Sequence, residues 1–338
     1  MAEQYWIETL GCPKNEVDSD KLVGTLSADG MTAAESPEAA DLIVVNTCAF
    51  IESAREESVD TILTLRERSE DARLVVTGCM AERYGDELDE ALEEVDTVAG
   101  FGVPVTLGKK PDAQPLPSFD LLNLPRPASS RPWAYVKIAE GCDRNCGFCA
   151  IPTFRGPQRS RSIESIVDEV RLLEAEEIVL VAQDLAAYGR DQGQGERAIV
   201  PLLGQVADMV ERVRLLYLYP SDLNERLIEA ILNTGVPYFD LSLQHVSRPL
   251  CGECGDGVTA NASSNASSTF AHKPPTQPFG RTSSLATQAR QKKTTTHFSA
   301  SSKQPNSTGV ASFRTRKKKE PTQPNSTARS ILRSCKSV

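Results

Sequence analysis

No apolar run in these 338 residues approaches the ~20 needed to cross a bilayer. The first residues, Met1-Ala-Glu-Gln-Tyr-Trp-Ile7, have no basic segment of the kind that opens a secretory leader. They run straight into a strand-like pattern. The nine cysteines are clustered rather than spread for pairing, which favours metal ligation in a reducing cytoplasm over a disulfide framework. Residues 1–250 are short of positive charge. Of 37 basic and 46 acidic residues, 14 and 3 fall in 251–338, leaving 23 and 43 before it, or −20 against +11. An acidic body argues against a broad phosphate-tracking face for bare DNA or RNA. The length suffices for two domains with cores of their own.

What the chain has in concentration is thiol. Cys142-Asp-Arg-Asn-Cys146-Gly-Phe-Cys149 has the spacing C-x3-C-x2-C. Thiolates this close can hold three corners of a [4Fe–4S] cubane. No fourth cysteine lies nearby, so one iron is left open to a small molecule. Zinc sites, the main alternative, usually pair C-x2-4-C units with a second pair downstream. The motif resembles the signature of the radical S-adenosylmethionine enzymes. That resemblance implies that the open iron chelates the cofactor's amino and carboxylate groups, and that one electron then releases a 5′-deoxyadenosyl radical. It also implies that Phe148 sits beside the adenine.

Around the motif, strand and helix patterns alternate. Tyr5–Leu10 reads as a strand, Gly11–Asn15 as a loop, and a helix is expected from near Val17 to before Gly30. Asp41–Thr47 is a near-continuous β-branched run, as in a buried parallel strand. A charged helix carrying Ile51, Ala54, Val59, Ile62 and Leu65 follows. Arg73–Thr77 is the next strand, and a helix through Tyr84 to Leu92 comes after it. Such alternation indicates a parallel α/β sheet. A proline-rich, aperiodic stretch precedes a second α/β unit. Its strands are expected at Ala134–Ile138, Ile178–Ala182, Arg214–Leu218 and Tyr238–Leu243, with a helix over 163–175. The join Leu173-Glu-Ala-Glu-Glu-Ile178 lacks the glycine that normally ends a helix, so a strained or shortened turn is expected there. Beyond Leu250 the sequence is polar and of low complexity, unable to offset chain entropy by burial. Its basic run Arg314–Lys319 reads as a solvated tail, with an RNA or ribosome tether as the functional alternative.

Cys12, Cys48 and Cys79 each fall just after one of the three N-terminal strands. Loops at the carboxyl ends of parallel strands converge on one crevice, so three thiols can meet there and bind a second cluster with an open iron. Three separately buried cysteines are the alternative. A domain with three dispersed cysteines, a linker and then C-x3-C-x2-C resembles the radical SAM methylthiotransferases. Asn46-Thr47-Cys48 and Thr77-Gly78-Cys79 resemble motifs shared across that family. Gly11-Cys-Pro-Lys-Asn15-Glu-Val-Asp18-Ser19 resembles the branch that modifies an aspartate of ribosomal protein twelve of the small subunit.

The resemblance implies metal ligands Cys12, Cys48, Cys79, Cys142, Cys146 and Cys149, two [4Fe–4S] clusters, and S-adenosylmethionine used twice. A methyl group passes to a sulfur on the auxiliary cluster, and the adenosyl radical removes hydrogen from the aspartate β-carbon, which then takes up methylthio. The implied partners are the ribosomal protein and an electron donor such as flavodoxin or ferredoxin, with no membrane. In the stretch after the second triad, Arg155, Arg159 and Arg161 are candidates for the cofactor carboxylate or the substrate aspartate. Gln183-Asp184, Ser242, Gln244 and His245 end barrel strands, where barrel active sites are built. Phe148, Arg155, Gln183, Gln244 and His245 are the expected cofactor contacts.

The expected architecture is α/β: a three-layer, flavodoxin-like domain (1–108), a linker (109–131), an incomplete radical SAM β/α barrel (132–250) and a disordered basic tail (251–338). The family's remaining barrel strands and RNA-binding-type TRAM domain have no counterpart in the sequence. Residues 251–259, Cys-Gly-Glu-Cys-Gly-Asp-Gly-Val-Thr, are what a family-like Leu-Arg-Arg-Met-Arg-Arg-Trp-Gly-Asp becomes when read one nucleotide out of phase. Out-of-frame translation is therefore expected from residue 251 on, which would leave an inactive chain as one outcome. Two other readings stay open: a tRNA-adenosine methylthiotransferase, and a non-catalytic iron–sulfur protein.

Overall fold

In the computed structural model the alternating pattern builds a five-stranded parallel sheet. Residues 3–101, 103–107, 121–147, 149–193, 198–219, 222–236 and 238–242 are described. The first unit runs β1 (Gln4–Thr9), α1 (Pro13–Ala28), β2 (Thr32–Ala33), β3 (Leu42–Thr47), α2 (Glu52–Arg68), β4 (Arg73–Gly78), α3 (Cys79–Ala91) and β5 (Thr97–Val98). Strand order is β2-β1-β3-β4-β5, the flavodoxin-like order, which switches direction between β1 and β3. Tyr5 pairs with Leu42, and Leu42 in turn with Arg73. Every residue of β3 is buried, which is why its apolar run is unbroken rather than alternating.

Helix α1 begins at Pro13, four residues before the expected start. Cys12 caps it in an extended conformation, and Pro13 occupies the first turn, where its fixed φ and missing N–H cost nothing. Gly30, at φ +88°, follows its end.

The second unit runs β6 (Trp133–Lys137), β7 (Ala139–Glu140), α4 (Ile151–Arg155), β8 (Arg159–Ser160), α5 (Ile163–Leu173), β9 (Glu177–Val181), α6 (Ile199–Ala207), β10 (Arg212–Leu215) and α7 (Glu225–Asn233). Strands β10, β9 and β6 form a parallel sheet, and β7 and β8 a short antiparallel ribbon. The Ser162 hydroxyl accepts from the Ser165 N–H to cap α5. Where glycine was missing, Glu174 takes the left-handed conformation, φ +51°. For a residue with a Cβ that costs about 1–2 kcal/mol.

Two strand expectations need correction. Strand β10 starts two residues early and stops at Leu215 because Tyr217, at φ +65°, turns the backbone out of the ladder. Residues 238–242 form no strand, only a parallel bridge between Leu218 and Leu241. Leu243 and the tail lie outside the described residues.

The second sheet is covered on both faces. Ala134, Val136, Ile178, Leu180, Val213 and Leu215 pack with residues of α5, α6 and α7. On the opposite face, Val179 and Val181 receive Val17 of α1, beside Tyr135, Leu216 and Tyr217. Val17 is fully buried, which contributes about 1.5–3 kcal/mol by apolar transfer. The proline-rich stretch is anchored at its described end. Leu122 is buried, and Arg126 pairs with Asp20 at 2.9 Å and donates to the Tyr135 carbonyl at 2.6 Å.

Candidate functional site

Each of the first three cysteines sits where a strand of the first sheet gives out. Cys12 follows β1 and caps α1, Cys48 follows β3, and Cys79 opens α3 directly after β4. Glycine makes the approach possible. Gly11 lies at φ +96°, and a Cβ there would stand 2.8 Å from the Cys48 Cβ and 3.0 Å from its Sγ. Gly78 lies at φ +90°, and a Cβ would fall 2.3 Å from the Asn46 Oδ1. Asn15 laces the loops together: its Nδ2 donates to the carbonyls of Leu10 and Thr47, both at 2.9 Å. The Asn46 Nδ2 donates back to the Asn15 carbonyl at 2.9 Å and to the Ser19 hydroxyl at 3.0 Å. The motif residues flanking these cysteines are thus the frame that holds them.

All three thiols are free and within electrostatic reach of one another. Burial raises the Cys48 thiol to about 11, and the neighbouring Cys79 and Cys12 add to the rise. Burial likewise raises Cys79, against the opposing pull of Arg155. Burial also acts on Cys12, but Lys14, Arg155 and the N–H groups of Asn15 and Lys14 together outweigh it and lower the thiol. That suits a helix N-terminus. Among the described residues no three acidic, cysteine or histidine side chains close on a single ion. A cubane places each thiolate on a different iron, so it needs a wider triangle. Three free thiols, two glycine cradles and nearby cations fit such a group.

The second triad is built locally. Gly141 ends the β7 turn at φ +81°, where a Cβ would stand 2.1 Å from the Pro157 carbonyl oxygen. The Cys142 N–H donates to the Gly156 carbonyl at 3.1 Å, and the Cys149 N–H to the Cys146 carbonyl at 3.0 Å. All three cysteines are half-buried and form no disulfide. Burial raises the thiols of Cys142 and Cys149. Between them, Arg144 stacks on Tyr219 at 3.7 Å and pairs with Asp184 at 2.6 Å and with Asp222.

The two triads face one seam. Lys14 is felt by both Cys12 and Cys149, and its Nζ lies 3.9 Å from the Tyr217 ring centroid. Lys137 of β6 pairs with Asp18 of α1 and, at 2.7 Å, with Glu140. Arg155 donates to Glu140 at 2.7 Å, to the Asn15 Oδ1 at 3.2 Å and to the Cys79 Sγ at 3.0 Å. Its donors are therefore taken up within the chain. Arg161 is also engaged internally, with Glu169 and the Lys137 carbonyl. The Gln183 amide donates to Glu140. Its Oε1, the Asp184 Oδ1 and both amide atoms of Gln158 are buried without a partner among the described residues. Phe148, Gln244 and His245 lie outside the described residues.

Sequence reasoning did not single out Asn15, Glu140 or Gln158. Asn15 stood inside a quoted motif, and Glu140 directly precedes Gly141-Cys142. Gln158 stood inside the stretch after the second triad that resembles the family's post-cluster motif, among the arginines that drew attention there.

Residues 4–100 match the family described as uncharacterized protein family UPF0004, and residues 136–262 match the radical SAM superfamily. The chain is 44% identical over 266 residues to the ribosomal protein uS12 methylthiotransferase RimO of Anaeromyxobacter sp. (strain K), covering 73% of this chain and 56% of that protein. To the protein of that name from Moorella thermoacetica it is 40% identical over 274 residues, covering 75% and 62%. To that from Aquifex aeolicus it is 42% identical over 255 residues, covering 71% and 56%. The chain spans about three fifths of the length of these curated relatives. Among solved structures, the cobalamin-dependent S-adenosylmethionine radical enzyme OxsB aligns at a TM-score of 0.47 and 12% identity, covering 77% of this chain and 46% of that one. That likeness is too loose to argue from.

Proposed function

We propose that the chain is a radical SAM methylthiotransferase, like the relatives it resembles, and that it adds methylthio to the β-carbon of an aspartate in ribosomal protein twelve of the small subunit. S-adenosylmethionine serves as both methyl donor and radical source, and the reaction takes place in the cytoplasm with flavodoxin or ferredoxin as reductant. One observation carries the reading: Cys12, Cys48 and Cys79 meet at the carboxyl edge of the first sheet, across a seam from Cys142, Cys146 and Cys149.

Cys142, Cys146 and Cys149 would hold one [4Fe–4S] group and Cys12, Cys48 and Cys79 a second. Loaded, these sites supply one-electron reduction of S-adenosylmethionine and a sulfur that can be methylated and transferred. The protein contributes placement and exclusion of water. Gly11, Gly78 and Gly141 let the cysteine loops approach closely. The unpartnered atoms of Gln158, Gln183 and Asp184 offer hydrogen bonds to the polar groups of the bound cofactor. Phe148, Gln244 and His245 are the further cofactor contacts that the family resemblance implies, and Arg155 braces the site from the seam.

Anaerobically prepared protein is expected to carry about eight irons per chain, two cubanes' worth. Given reductant, S-adenosylmethionine and the ribosomal protein, it should form 5′-deoxyadenosine and add one methylthio group to the aspartate, read by peptide mass spectrometry. A chain that leaves the ribosomal protein unchanged and modifies tRNA adenosine would overturn the substrate. A chain that releases no 5′-deoxyadenosine would overturn the catalytic reading.

A further inference from the structure

Arg155 is the last residue of α4, six positions beyond Cys149, yet its guanidinium reaches the other triad. It is 6% exposed, too enclosed for water to replace its contacts. One arm holds Glu140, which directly precedes Gly141-Cys142, and the other donates to the Cys79 Sγ at 3.0 Å and the Asn15 Oδ1 at 3.2 Å. Its plane lies 4.4 Å from the Phe101 ring centroid, which restricts how the fork can turn. Asp18, 3.7 Å away, and Lys137 complete the charges around it.

We infer that Arg155 is a positioning residue that sets the reduction potential of the group held by Cys12, Cys48 and Cys79, by donating to the Cys79 sulfur from the helix that directly follows the other triad. The inference rests on the two-triad reading above. Potentials of iron–sulfur groups depend on net charge and on hydrogen bonds to the ligating sulfurs. A cationic donor at Cys79 favours the reduced, more negative state. Because the donor ends the helix that begins right after the second triad, a shift of that segment is felt at Cys79 directly. Lysine does not substitute, since it lacks the fork that serves Glu140 and the sulfur together.

The test uses the full-length chain with Cys142, Cys146 and Cys149 replaced by alanine, so that only the Cys12 triad is loaded. Arg155→Met is expected to move the midpoint potential of that group negative while its iron stays at about four per chain. Arg155→Met combined with Glu140→Gln, which neutralises the acid left behind, should still show a negative shift, though a smaller one because a nearby anion is also lost, and guards against misfolding of the single variant. Arg155→Lys should fall between. An unchanged potential with iron retained overturns the inference. Loss of that iron in both methionine variants also overturns it and leaves Arg155 a purely structural role. If the parent chain with all six cysteines fails to bind about eight irons, the two-triad reading fails first, whatever Arg155 does.

Discussion

The two cysteine triads are assembled by opposite routes. Cys142, Cys146 and Cys149 fall within eight consecutive residues, on a half-buried loop tied by two backbone hydrogen bonds. Cys12, Cys48 and Cys79 are scattered over 68 positions and are brought together by three adjacent strand ends. The local triad is specified by chain spacing and can adjust until it is filled. The dispersed triad is specified by sheet register and stands ready-made. Pre-organisation of the second kind makes the site hostage to the fold, whereas the first kind leaves it dependent on a short turn.

Glycine substitutions should separate the two most sharply. Gly78→Ala forces a Cβ to 2.3 Å from Asn46 and 2.6 Å from the Thr47 carbonyl, inside a sheet that cannot yield. A loss of about 4 kcal/mol is expected in denaturant unfolding, with iron falling by half. Gly141→Ala meets the Pro157 carbonyl at 2.1 Å, but a loop can move. It should cost about 1–3 kcal/mol while still emptying its own triad. Equal stability losses in both would break the distinction.

Asn15→Ala should cost about 1–3 kcal/mol, because it removes the donor from one buried and one partly buried carbonyl. Iron retained by reconstituted protein should drop only at the dispersed triad, as seen when each triad is tested with the other removed.

The seam predicts a pH dependence. Burial acts to raise the Glu140 carboxyl, but Arg155 and Lys137 outweigh it and hold the group well below its usual 4.5. A depressed carboxylate contributes fully above its unfolded value and loses that contribution as pH falls. Melting of the metal-free chain should therefore weaken on acidification below about pH 4.5 more steeply than that of Glu140→Gln. Parallel curves for the two proteins would show that the seam does not couple to protons.

The smallest effect is expected far from either triad. Glu174→Gly should stabilise the chain by about 1 kcal/mol by relieving the left-handed residue. The change is read as a higher melting temperature with unaltered iron content.

How much of this was legible follows the same division. The contiguous triad was visible from spacing alone. The dispersed triad required only a correct strand alternation, because side-by-side parallel strands carry their following loops to one edge. The left-handed Glu174 could be expected from a missing glycine. The end of β10 could not, since nothing local marks Tyr217 as the residue that leaves the ladder. The start of α1 was misplaced because Pro13 was taken for a loop residue, when proline also suits a first helical turn. Arg155 is expected at the cofactor, and in the structure its donors also tie together Glu140, Asn15 and Cys79. Residue type shows that a guanidinium seeks oxygen or sulfur, and only the tertiary fold says whose.

The placement of α1 has a consequence for how the chain is born. Its one side packs Leu22 and Leu26 into the first sheet, and its other presents Val17 to a strand that begins more than a hundred residues later. Amino-terminal segments leave the ribosome first, so the early unit emerges with that apolar flank and the buried Lys21 uncovered. Until β9 is made, the nascent first half is an adhesive intermediate, and slowing translation after residue 108 should lengthen its exposure to chaperones.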